Sequence, residues 1–298
     1  MSNAAFGADD LRRDDLPRRR AVNRATEILA TLSAFGAVAV LALVVVSVAR
    51  RGAGAITLDF FTKIPMPFSF TNAPTGIANA LVGSVILVGV AAVMALPIGV
   101  LIAIYVNEFA QRRIATGVAL VLDVLNGIPS IVIGIFVFGL LVLGHQQSAL
   151  AGSFALAIIM VPLIACSTQE VLALVPIAIR EASLALGVSR WRTTLSIVLP
   201  QTIGGIVTGA TLAIARAAGE TAPLLFTTSL VGTDIQTDPR NALASIPLTI
   251  FQYAESPDPA DHRQAWAAAL VLIVFVLVTG LTARALAART RRRIAGAR

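Results

Sequence analysis

The sequence predicts an all-α protein, a polytopic bundle of six membrane-spanning helices. Three observations predict it. Apolar residues fill 57% of the 298 positions and charged ones only 13%, whereas soluble domains carry about a quarter charged residues. Mean hydropathy is +0.84. The apolar residues also gather into six runs, each long enough for the roughly 20 residues that a spanning helix needs.

The runs fall near 26–49, 76–106, 114–143, 149–170, 198–229 and 265–287. They divide the chain into a basic tail (1–25), a membrane domain (26–287, with its core from about 75) and a basic C-terminal tail (288–298). No cleavable leader is expected, because the first apolar run is itself long enough to span. Two connections are long and polar, 50–74 and 230–264. An even number of spans puts both termini on one side. With that side cytoplasmic, the tails, with Arg284 at the end of the last run, and the loops near 107–113 and 171–193 hold 17 of the 23 basic residues. The positive-inside rule therefore gives an N-in, C-in topology, with 230–264 external.

The net charge of +7 does not indicate nucleic-acid binding, because the arginines flank apolar runs and the bilayer is the partner they face. The single cysteine, Cys166, excludes an intramolecular disulfide and reads as a small buried hydrophobe. His145 and His262 are isolated, so no metal site is expected. No nucleophile–base spacing stands out either, and no catalytic residue is assigned.

Several runs are interrupted by residues that disturb a helix. These are Pro97 in the second, Gly127 and Pro129 in the third, and Pro200 and Pro223 in the fifth. Proline removes a backbone donor and disturbs the preceding turn. Broken backbone at membrane depth is tolerated only inside protein or beside a wet cavity. Polar interruptions in the third and fifth runs together predict that these two line a pathway.

The fifth run contains ARAAGETAPLLF at 215–226. Arg216 and Glu220 are four residues apart and would share one face of a continuous helix. An arginine mid-membrane costs about 2.5–3.5 kcal/mol even on the lenient insertion scale. Mutual pairing of the two, as a structural ion pair facing other helices, would lower that cost. So would an anion path, since a guanidinium presents a planar fork of donors that matches an oxyanion. On the second reading Glu220 holds Arg216 between passages and Thr221 adds a hydroxyl. In the third run, Asp123 and Asn126 are three apart, just before the Gly127–Pro129 break, with Ser130 following. Asp123 suits the path only as a counter-ion or when protonated; otherwise it bonds a neighbouring helix.

The cytoplasmic segment 176–200 reads as a short amphipathic helix from Pro176, a bend at Gly187, and a second helix capped by Ser189 that enters the membrane at Pro200. It could lie on lipid or dock on a cytoplasmic partner. Glu181, Ala182, Gly187, Ile197, Leu199 and Pro200 resemble the EAA–G–I-x-L-P signature of ABC importer permeases, with every spacing kept. Ser183 replaces the usual second alanine. The resemblance implies the type I ABC importer permease architecture. It also implies that Glu181, Ala182, Ser183 and Gly187 form the coupling helix that meets a separate ATPase. The chain has no G-x-x-x-x-G-K-[ST], and its only lysine is Lys63, so it has no P-loop.

NGIPSIVIGIF at 126–136 and ARAAGETAPLLF at 215–226 further resemble the two intramembrane signatures of phosphate importer permeases. That resemblance implies a transport subunit of the bacterial inner membrane without a cofactor of its own. It also implies a heterodimer with a second permease chain, an ATPase homodimer that binds ATP and magnesium, and an external phosphate-binding protein. Two other readings remain at this stage. One is an ABC permease for another oxyanion such as sulfate or molybdate. The other is a secondary transporter driven by protons through Asp123 and Glu220.

Overall fold

A computed structural model of the chain describes residues 16–65, 76–228 and 234–296. The first 15 residues of the N-terminal tail, part of the 50–74 connection, the start of the 230–264 connection and the last two residues lie outside the described set. Two compact units are present, one ending at Val48 and one running from Ala49 to Arg298. The described part of the first is a single apolar helix, α1 (Leu16–Gly52), which continues into the second unit. It starts ten residues before the first apolar run, so part of the basic tail is helical.

The second unit begins with a short helix α2 (Leu58–Thr62), whose N-terminus is capped by the Thr57 side chain. Then follow α3 (Ala78–Ile104), α4 (Arg112–Gly127), α5 (Ser130–Val137) and α6 (Ala149–Ala173). The segment 176–200 includes α7 (Ile177–Ala185) and α8 (Arg190–Thr193). The remaining helices are α9 (Leu199–Ala217), α10 (Ala222–Thr227), α11 (Ile246–Glu255) and α12 (Pro259–Gly296). Single π turns extend α3 (Tyr105–Phe109) and α5 (Phe138–Val142) and join α8 to α9 (Thr194–Val198). Five helical stretches are long and apolar enough to cross a membrane, and α4 with α5 makes a sixth, bent by 96°.

The centre is α6, packed between α3 and α9. Small side chains allow that approach: Ala91 and Ala95 of α3, Ala157 of α6, and Ala213 and Ala217 of α9 are buried together with Leu87, Leu156, Met160 and Ile164. Without a hydrophobic driving force inside lipid, close packing of small residues is what holds such helices together. Gly205 and Gly209, one turn apart on α9, meet Val171 and Ser167 of α6, and a Cβ at Gly209 would collide with the Ser167 hydroxyl. Ser153 of α6 donates to the Leu87 carbonyl of α3 at 3.0 Å, a second tie between them.

Three prolines do not act as expected. The α3 helix runs on through Pro97. At Pro200 the helix also continues, because the Thr194–Val198 turn before it is widened: Leu199 N–H bonds to the Thr194 carbonyl, five residues back. Pro223 starts α10 instead of breaking a helix; the discontinuity lies earlier, between Ala217 and Ala222. By contrast, chain direction does change at Gly127–Pro129, as the 96° bend shows.

The 230–264 connection is more ordered and more apolar than its charged ends suggest. Ser245 caps α11 by accepting from Leu248 N–H, and Ile246 N–H donates to Ser84 of α3 at 2.8 Å. Leu243, Ala244, Ile246 and Leu248 are buried. Thr228 closes the segment onto α10, donating to the Leu243 carbonyl and accepting from its N–H. Nearby, the Arg51 guanidinium lies 4.9 Å from the centre of the Trp266 ring, a cation–π contact. At its other end α12 continues unbroken past 288, so the basic C-terminal tail is the end of the last helix.

Candidate functional site

The bend between α4 and α5 and the joint between α9 and α10 face each other across one cavity. It has a volume of about 150 Å³ and is lined by Asn126, Pro129 and Ser130 from the bend and by Arg216 and Glu220 from the joint. Leu125, Ile128 and Ile133, with Ile159 and Leu163 of α6, complete the wall. The two broken elements are also locked to each other away from the cavity. A Cβ on Gly134 of α5 would stand 2.7 Å from the Pro223 Cα of α10, so only glycine permits this approach.

Arg216 sits in the last turn of α9, where its charge complements the negative end of the helix. Glu220 is not on the same helix. The chain leaves α9 through a tight turn, with Gly219 N–H bonded to the Arg216 carbonyl and Glu220 N–H to that of Ala217. The turn still brings the side chains within 3.9 Å, Arg216 Nε to Glu220 Oε1. That separation is too long for a hydrogen bond. The Arg216 side chain is 58% exposed and Glu220 18%, so the guanidinium keeps free donors on the cavity side. A pair this open contributes on the order of 0–1 kcal/mol, which does not offset the cost of immersing the arginine in hydrocarbon. A polar cavity resolves the difference, because there the group is not in hydrocarbon.

Opposite the arginine, Ser130 is the first residue of α5. The first amides of a helix lack internal acceptors and carry the positive end of its dipole. The cavity thus receives a full positive charge from Arg216, a full negative one from Glu220, a partial positive one from α5, a hydroxyl and an amide side chain. That set of donors favours an anion.

Of the six residues expected on the path, the cavity brings together Asn126, Ser130, Arg216 and Glu220. Asp123 is exposed one turn earlier on α4 and does not line it. Thr221 precedes α10 and makes no side-chain cap there; it too lies outside the lining. Cys166 is only partly buried and accepts a long contact, 3.8 Å, from the Asn126 amide. Among the described residues no cluster could hold a metal ion.

The segment with the EAA-like signature folds as a helical hairpin. Gly187 has φ +79°, the left-handed conformation that a bend after α7 requires. Glu181 and Ala182 are exposed. Ser183 is instead buried, and its hydroxyl lies 2.8 Å from that of Thr193 on α8. The substitution of serine for alanine therefore adds a hydrogen bond across the bend. Ser189 stands at the start of α8, yet its side chain makes no cap; only its carbonyl bonds to Thr193. No sequence pattern singled out Arg180. It forms an ion pair with Glu108 at 2.9 Å, linking α7 to the end of α3.

Broken helices around a charged cavity, in a bundle of membrane-length helices, are the features of a membrane permease. The comparisons agree. Residues 95–292 match the family of binding-protein-dependent transport system inner membrane components. The phosphate transport system permease protein PstA of Yersinia pestis is 37% identical over 92% of each chain. PstA 1 of Mycobacterium tuberculosis (strain ATCC 25618 / H37Rv) is 43% identical over 73% of this chain and 72% of its own. A bacterial alginate ABC transporter, crystallised with an alginate-bound periplasmic protein, has the same fold, with a TM-score of 0.63 and 15% identity over 92% of this chain and 97% of its own. The inward-facing MetNI methionine ABC transporter gives 0.56 and 18%, over 72% and 94%. The chain belongs to the PstA family of phosphate transport system permease proteins, among the binding-protein-dependent inner membrane components.

Proposed function

We propose that the chain is the permease subunit of an ATP-driven importer of inorganic phosphate. The observation that carries this is the cavity shared by Arg216 and the N-terminus of α5, in a chain whose relatives are phosphate permeases. Phosphate passes along the bend at Asn126 and Ser130 and meets Arg216, with Glu220 as the resting counter-ion. The 3.9 Å separation of that pair suits a site that releases its ion. Conduction needs binding that is weak enough to reverse.

The path is completed by a second permease chain, PstC. An ATPase homodimer, PstB, holds the ATP and magnesium and contacts α7 through the exposed Glu181 and Ala182. A binding protein, PstS, delivers phosphate to the outer face formed by the 50–74 and 230–264 segments. Both termini are cytoplasmic, as the arginine distribution supports. Movement of α7 with the ATPase passes through α8 and the π turn into α9. It shifts the α9–α10 joint against the α4–α5 bend, so the cavity opens to alternate sides.

The test is co-purification of the chain with these neighbours, followed by ATP-dependent uptake of labelled phosphate into liposomes. Uptake that unlabelled phosphate suppresses and sulfate does not supports the reading. Suppression by sulfate or molybdate would assign the path to another oxyanion. Uptake by the chain alone on a proton gradient would replace the reading with a secondary transporter.

A further inference from the structure

We propose that Arg180 is a positioning residue that joins the coupling helix to α3 and α6, so that a load on α7 moves both. The inference rests on the reading of α7 as the contact with an ATPase. It does not depend on which ion crosses.

The geometry is that of a joint with three arms. Arg180 Nε lies 3.2 Å from each carboxylate oxygen of Glu108, and one terminal nitrogen lies 2.9 Å from Oε1. Glu108 belongs to the π turn that ends α3. The same guanidinium donates to the carbonyls of Leu172 and Val175. Leu172 is in the final turn of α6, where its carbonyl accepts from Val175 N–H at 3.2 Å as well as from the guanidinium, and Val175 follows the helix. One side chain on α7 therefore closes the ends of two membrane helices. Only 19% of the Arg180 side chain and 9% of Glu108 are exposed, so water competes weakly for these bonds. A lysine could not reproduce the fork, since its ammonium is a point charge.

The rest of α7 follows the same division. Ser183, three residues after Arg180 and on the same side, makes the buried link to Thr193. Phe109, next to Glu108, packs its ring 5.9 Å from that of Trp191 in α8. Glu181 and Ala182 point away and are exposed. So α7 has one face free and one face fastened to α3, α6 and α8. A hairpin held only by its chain ends could rock on Gly187 without moving the spans.

The experiment uses the complete reconstituted importer carrying Glu108→Gln or Arg180→Lys, both close to the native shape. Phosphate uptake and ATP turnover are measured in the same vesicles, with hydrogen–deuterium exchange over 177–186. Assembly and ATP turnover are expected to persist, while phosphate moved per ATP falls about 2- to 30-fold, the range found for residues that carry coupling. Exchange over α7 should rise in both variants. Wild-type uptake per ATP in both would overturn the proposal. So would loss of assembly in both, which would make the pair a structural tie only. If the wild-type complex itself moves no phosphate, the functional reading fails. The joint is then judged by exchange alone, and unchanged exchange in Glu108→Gln would refute it.

Discussion

Arg216 and Glu220 are near neighbours without being bonded, and the difference matters. A tight buried pair would serve stability; an open one leaves donors for a visiting anion. Asp123 stands outside that arrangement, on the exposed side of α4. Asp123→Asn is therefore expected to reduce phosphate uptake far less than Arg216→Gln when both are assayed in parallel, and equal losses would bring Asp123 back onto the path. Ser183 makes a different kind of contribution. Its bond to Thr193 is buried, but Thr193 also donates to the Ser189 carbonyl. Ser183→Ala should lower thermal stability of the purified complex by no more than about 1 kcal/mol, the usual net worth of such a bond, and leave uptake intact. Both charged groups of the cavity were legible in the sequence, because a full charge in an apolar run is conspicuous. Arg180 and Glu108 were not. They lie in connections between apolar runs, where charge is ordinary, and 72 residues separate them.

The helices α5 and α10 illustrate how short pieces are kept in place at membrane depth. Each is too short to span, and each is fixed by contact with the other at Gly134 and Pro223. Gly134→Ala adds one methyl group where there is no room. Overpacking of this kind costs about 1–3 kcal/mol, so the variant should show a lower melting temperature and reduced uptake. Normal values for both would show that the two helices separate freely. Sequence patterns located the break at Gly127–Pro129 well, because glycine, proline and polar residues coincide there. They misplaced the others. A proline in a long apolar run says only that one donor is missing. Whether the helix ends there is decided by neighbours: α3 continues past Pro97 against α6, and a widened turn absorbs Pro200. The apolar stretch ALASIPLTIF is inconspicuous because charged residues surround it; its second half begins the helix α11, which packs on α3 and α12.

As a whole, the described residues make an all-helical membrane protein, and within the second unit α6 touches α3, α9, the cavity and Arg180 of α7. Composition and the spacing of apolar runs were sufficient for that class, since a bilayer sets helix length directly. They could not supply the 96° bend or the cavity, which arise only when α4, α5, α9 and α10 meet. Topology is checked independently of transport. In a Cys166→Ser background, Asp258→Cys should react with an impermeant thiol reagent from outside and Ala185→Cys only after the membrane is opened; the reverse pattern would invert the orientation. The account depends most on an arginine that meets the transported ion. Its most direct test is phosphate uptake by the assembled, reconstituted complex carrying Arg216→Gln. The account predicts normal assembly with uptake abolished, and uptake at the wild-type level would contradict it.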